Sequence, residues 1–116
     1  MKANGNQENR GKDHKPVVKL STPDANCTWL LTEIDPEETD VAFGLCDLGL
    51  GFPELGYVSI TELSTLRGKF GLPVERDLSF VPKYPISTYF SAAKVRQQIT
   101  IDKTLLEQIF TASKPN

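Results

Sequence analysis

The chain has 116 residues, 39% of them hydrophobic and 24% charged, a composition that describes one globular domain rather than a fibre or a disordered polymer. No apolar run approaches the roughly 18 residues of a membrane span, and none at the start forms a secretory leader. Two cysteines are too few for a disulfide scaffold, and a net charge of −2 excludes a wholesale electrostatic grip on nucleic acid.

Residues 1–15 (MKANGNQENRGKDHK) hold no aliphatic β-branched or aromatic side chain. They cannot bury enough apolar surface to offset the entropy of ordering, so a disordered polar tail is expected there. Residues 16–113 are expected to form a single domain, with 114–116 frayed. Pro16–Leu20 begins as a strand, its proline where no ladder donor is needed. Ser21–Asn26 is turn chemistry. Thr28–Asp35 then alternates with apolar residues on both faces. Trp29 and Leu31 share one face with Glu33 and Asp35, while Leu30 and Ile34 share the other with Thr32. A strand of this kind lies between two layers, with its far end reaching water. Pro36–Thr39 turns the chain, and Asp40–Leu48 returns with Val41, Phe43 and Leu45 in phase. The link is too short for a crossover helix, so the pair is an antiparallel hairpin with Glu33, Asp35, Glu37, Glu38 and Asp40 about its tip.

Gly49–Gly56 reads as a loop and Tyr57–Ser59 as a short strand. Ser59-Ile60-Thr61-Glu62 fits the S-x-x-E capping box and predicts a helix with Ile60, Leu63 and Leu66 on one face and Gly68 at C′. Leu72–Phe80 reads as another strand, and Val81–Pro85 as extended, because each proline restrains its predecessor. Ser87–Gln98 is predicted as a helix capped by Ser87, with Tyr89, Phe90 and Ala93 inward. Asp102 caps a last helix that buries Leu105, Leu106, Ile109 and Phe110, with Ile101 able to staple onto Leu106. Strands followed by helices, with no βαβ rhythm, give an α+β fold: a small antiparallel sheet with a central acidic-tipped hairpin, packed by two or three short helices.

Charge is unevenly placed along this plan. Between Leu20 and Leu66 there is no Lys or Arg but nine carboxylates, so a segment at −9 is flanked by ends totalling +7. The two parts can neutralise each other, or the acidic segment can present a face to a basic partner. The candidates for such a face are Glu33, Asp35, Glu37, Glu38, Asp40, Asp47 and Glu54. Four of them (Glu33, Asp35, Asp47, Glu54) could instead converge on a hard cation such as Mg²⁺ or Ca²⁺, although no EF-hand spacing is present.

Other chemistries fare poorly. The single histidine, His14, falls in the expected tail, so no Ser–His or Cys–His pair is held in register. Ser91-Ala92-Ala93-Lys94 has Ser-x-x-Lys spacing but reads as a solvated lysine on a helix. Cys27, Cys46 and one distant histidine cannot make a tetrahedral zinc site. The cysteines are expected to remain thiols in a reducing cytoplasm. Gly49-Leu50-Gly51 is a poor phosphate loop, with no Lys-Ser/Thr after it and acids beside it. No catalytic residue, metal or cofactor is assigned. Lys83, Tyr84, Tyr89, Phe90, Lys94 and Arg96 interleave charge and aromatics, a patch able to stack bases and neutralise phosphates.

The stretches Thr28–Glu33, Asp35–Glu37, Ala42–Gly49, Pro53–Gly56, Leu66–Gly68 and Gly71–Asp77 resemble the signature of a small bacterial family, domain of unknown function 2958. The likeness runs over roughly residues 17–80. It implies an accessory protein encoded on plasmids, phages and integrative elements, beside conjugation and anti-defence genes, with no assigned activity to carry over. The functional expectation is a non-enzymatic accessory protein acting by protein contact through its acidic face, as an inhibitor of a defence nuclease or CRISPR complex. Its partner would be a basic protein or nucleoprotein in the bacterial cytoplasm, with no membrane contact. A small carboxylate- or metal-dependent enzyme using the same acids is the alternative, and a nucleic-acid binder using the basic aromatic patch is the third.

Overall fold

Turn chemistry spaced along the first half of the chain folds it into a meander. In the computed structural model, which describes residues 13–34, 37–67 and 70–113, four strands pair antiparallel with their chain neighbours. They are β1 (Val18–Ser21), β2 (Thr28–Ile34), β3 (Val41–Asp47) and β4 (Glu54–Ser59). A two-residue strand, β5 (Glu75–Arg76), joins the far side of β1, giving the order β4-β3-β2-β1-β5. Three helices complete an α+β fold: α1 (Ile60–Thr65), α2 (Ile86–Arg96) and α3 (Lys103–Ser113).

The sheet is covered on both sides, as the two apolar faces of β2 require. Leu30 and Leu45 meet Tyr84, Ile86, Tyr89, Ala92, Ala93 and Leu106 from the α2–α3 layer. On the reverse, Trp29, Leu31 and Ala42 pack with Leu63 of α1, edged by Val18, Leu20, Val58 and Val74. Fully burying an aliphatic or aromatic side chain contributes roughly 1.5–3 kcal/mol, so these two clusters dominate the stability.

One irregularity redirects the hairpin. Leu31 opposes Gly44, but Glu33 opposes Phe43, so Thr32 is an extra residue in a β-bulge. The Thr32 hydroxyl donates to the Phe43 carbonyl at 3.1 Å, supplying a partner where the ladder is broken. Here the sequence expectation is corrected: the bulge carries Glu33 off the Trp29–Leu31 face and onto the Phe43–Leu45 face. Gly44 sits beside the same crowding. A Cβ there would stand 2.1 Å from the Leu30 carbonyl oxygen, so only glycine fits.

Several boundaries also move. β4 starts at Glu54, inside the expected loop, because Gly49 and Gly51 turn the chain earlier at φ of 79° and 87°. The strand expected over 72–80 shrinks to Glu75–Arg76. At Asp77 the side-chain carboxylate accepts the N–H and hydroxyl of Ser79, a local turn that takes the chain out of the sheet.

Helix starts follow capping chemistry, twice with remote help. At α1, Ser59 Oγ accepts the Glu62 N–H at 3.1 Å, as its capping box predicts, but Asp40 rather than Glu62 completes the cap. Asp40 accepts the Thr61 N–H at 2.7 Å together with the Ser59 and Thr61 hydroxyls. The helix ends at Leu66, whose backbone is extended; Gly68, expected at C′, lies outside the described residues. Ser87 does not cap α2. That helix starts from Pro85, and the Asp13 carboxylate accepts the Ser87 N–H at 2.9 Å and the Ser87 hydroxyl. The His14 carbonyl accepts the Ile86 N–H at 2.7 Å. Placed structure therefore reaches back to Asp13, inside the stretch read as a tail, while residues 1–12 and 114–116 lie outside the described residues. Asp102 caps α3 as expected, accepting the Thr104 N–H at 3.0 Å.

Candidate functional site

The seven acids singled out by their spacing are dispersed by the fold. Glu33, turned by the bulge, lies 3.4 Å from His14 Nε2 with its side chain one-tenth exposed. Asp35 lies outside the described residues. Asp40 is committed to the start of α1, and its donors hold the carboxyl below the usual carboxylate range, the Ser59 hydroxyl most, then the hydroxyl and N–H of Thr61. Asp47 is buried at 3% exposure. Its two oxygens accept the Gly49 N–H at 2.8 Å and the Ile99 N–H at 2.9 Å, pinning the end of β3 to the chain that leaves α2. Glu37 and Glu38 are exposed on the hairpin turn, and Glu54 is exposed at the start of β4.

A single acidic face is therefore not what the described residues build. Glu33 and Asp47 look into the α2–α3 layer, whereas Glu54 opposes Cys46 on the α1 side, so the four proposed cation ligands do not converge. Among the described residues no group of three or more His, Cys, Asp or Glu side chains is placed to hold a metal ion. What does gather is a smaller cluster. Glu37 and Glu38 precede Asp40, which grips Thr61, and exposed Glu62 follows Thr61 directly. Glu62 was assigned to the helix cap by its spacing, and nothing local in the sequence shows that a turn twenty positions earlier comes to lie beside it.

Beside this cluster the edge of the sheet is apolar. Leu55 opposes Leu45 and Tyr57 opposes Phe43, on the face of the α2–α3 layer but beyond its cover, at 37% and 56% exposure. Phe43 and Tyr57 meet edge to face with ring centres 5.1 Å apart. In the loop before β4, Leu50 and Phe52 are 72% and 77% exposed. Neither loop side chain covers the core: both are turned outward. Cys46 and Cys27 are free thiols, and burial, then the nearby Glu54 charge, pushes the Cys46 thiol up.

The basic aromatic patch also comes apart. Tyr84 and Tyr89 are core residues at 8% and 2% exposure, so their rings are spent on Phe80, Phe110 and each other and are closed to bases. The Tyr84 hydroxyl donates to Glu107 at 2.6 Å, which pushes the phenol up. Arg96 pairs with Asp102 at 2.8 Å, and Lys94 lies over the Phe90 ring at 5.1 Å. Lys83 remains at the surface, where it and Lys103 flank an open groove of about 760 Å³ along α3.

No helix among the described residues is long and apolar enough to cross a membrane. Compared with known proteins, residues 1–100 match a family described as "Protein of unknown function (DUF2958)". No curated protein and no solved structure matches.

Proposed function

We propose that this chain, which belongs to the family of proteins of unknown function DUF2958, is a non-enzymatic accessory protein that works by gripping a basic partner protein with its acidic sheet end. The observation that supports the reading is the setting of Glu37, Glu38 and Glu62. They are exposed about a turn that Asp40 ties to α1, within a stretch from Leu20 to Leu66 that itself contains no Lys or Arg. Asp47, Asp24 and Asp40 are occupied with backbone N–H groups, so the interaction is carried by the glutamates that the fold leaves outward. Carboxylates presented this way complement a basic surface and steer encounter with it. A channel that a defence nuclease or its guide complex uses for nucleic acid is a surface of that chemistry.

The test is charge reversal without loss of fold. A Glu37→Lys, Glu38→Lys, Glu62→Lys protein should melt close to the parent, since exposed substitutions usually change stability by about 0.5 kcal/mol or less each. Captured from a bacterial lysate on immobilised parent protein, the partner should be basic, should elute as salt rises past physiological strength, and should be absent from the triple variant. A partner retained equally by both proteins and indifferent to salt would remove the proposal.

A further inference from the structure

Among the described residues the outer edge of β4 is the longest run of strand backbone in the sheet that no strand pairs. β3 pairs one side of β4, and among the described residues no strand pairs the other. Proteins that must keep an edge single usually place Lys, Pro or an inward charge on it, or cover it. Between Glu54 and Ser59 there is neither Lys, Arg nor Pro. Leu55 and Tyr57 instead offer a stepped apolar strip beside the edge, and Leu50 and Phe52 are exposed in the preceding loop. At Gly56 a Cβ would meet nothing within 4 Å, so the α1 side of the strand is uncovered at its middle.

Charge decides what would lie there. Glu54 stands at one end of β4, and the Glu37, Glu38 and Glu62 cluster stands at the other, where Ser59 opposes Val41. At about 3.3 Å per residue the ends of the strand are roughly 17 Å apart. A second copy paired antiparallel would set Glu54 of each chain against the glutamates at the other end of its partner's strand, which disfavours it. An extended segment with basic ends and alternate apolar residues matches both the charge and the strip.

We infer that β4 takes up an extended basic segment of the partner as an added strand, its apolar residues on Leu55 and Tyr57 and its lysines or arginines toward Glu54 and the Glu37–Glu38–Glu62 cluster. This rests on the reading of a basic partner and adds how that partner is held: by main-chain hydrogen bonds, with charge setting the choice.

The probe is a capped peptide, Lys-Val-Thr-Val-Thr-Val-Lys, tested against the full chain by calorimetry and by hydrogen exchange at the amides of residues 54–59. The peptide should bind and slow exchange along β4. Methylating two alternate peptide nitrogens on the bonding side should weaken binding about tenfold or more, the worth of two backbone hydrogen bonds. Leu55→Lys with Tyr57→Lys, both at exposed positions and checked for an unchanged melting temperature, should abolish binding. A peptide that fails to bind, binds as well when methylated on either set of alternate nitrogens, or leaves β4 exchange unchanged overturns the inference. So does an edge already protected without peptide in a concentration-dependent dimer, which would make the occupant a second copy. Serine in place of both terminal lysines separates the two proposals. Equal binding of the serine and lysine peptides, with β4 protected by each, would leave strand addition standing and refute the electrostatic reading.

Discussion

Replacing Asp13 by alanine takes away the carboxylate that closes the start of α2. The helix begins from Pro85, which has no side-chain acceptor, and Asp13 acts from 74 positions earlier in the chain, taking the Ser87 N–H at 2.9 Å. Loss of an N-terminal cap of this kind costs about 1 kcal/mol. For a chain of 116 residues that lowers the melting temperature by about 4 °C. Asp13→Asn keeps an acceptor oxygen and should recover most of the loss. A second comparison isolates the segment: a chain beginning at Asp13 against one beginning at Pro16. The shorter chain also loses the His14 carbonyl that accepts the Ile86 N–H at 2.7 Å, so its total cost is about 2 kcal/mol. Scanning calorimetry and urea titration read both. If Asp13→Ala melts within about 1 °C of the parent and the two truncated chains unfold together, the remote cap has no energetic role.

Three other perturbations follow from the same geometry. Asp47→Ala strands the Gly49 and Ile99 N–H groups at a site 3% exposed and should cost about 3 kcal/mol, seen as a lower urea midpoint at constant m; parental stability would count against the tether. The Asp77 carboxyl is held down to about 2, first by the Ser79 hydroxyl and then by Lys19, from an ordinary value of 3.8. Its contribution is therefore complete above the unfolded value and is lost as pH falls toward the folded one. Asp77→Asn should flatten the acid side of the stability profile between about pH 4 and pH 2, and an unaltered slope there would contradict the assignment. Gly44→Ala drives a methyl to 2.1 Å from the Leu30 carbonyl oxygen and 2.8 Å from Leu31 Cα, backbone that cannot step aside. A loss of about 4 kcal/mol or more is expected, so a variant with a near-parental melting curve would show that the strand pair can part there.

Local chemistry was readable, and distant partners were not. The turn before β3, described over residues 37–40, the two apolar faces of β2 and the caps at Ser59 and Asp102 each depend on residues within a few positions of one another, and each is present. The bulge at Thr32 leaves no mark on an alternating pattern, yet it reverses the facing of Glu33. Asp47 and Tyr84 were read as surface chemistry because one is a carboxylate in an acidic segment and the other an aromatic among basic residues. What fixes them is a backbone N–H 52 positions on and a glutamate 23 positions on. α2 was hard to orient for a different reason. It buries Thr88, Ala92 and Ala93 against the sheet, small residues that allow close approach but give little hydrophobic periodicity. The exposed edge of β4 was read as a loop up to Gly56, since glycines and a proline dominate the stretch before it.

The meander of β1 to β4 also sets a timetable for synthesis. Every pairing among these strands is with a chain neighbour, so four-fifths of the sheet can assemble once Ser59 has left the ribosome. One face, with Leu30 and Leu45, then has no cover until the residues through Leu106 arrive, roughly 50 positions later. At about 5–20 residues per second that interval is roughly 3 to 10 seconds. Throughout it the nascent sheet shows an open face as well as an open edge. Translation of the helix layer thus competes directly with aggregation, and the demand on chaperones is set by that delay rather than by the finished fold.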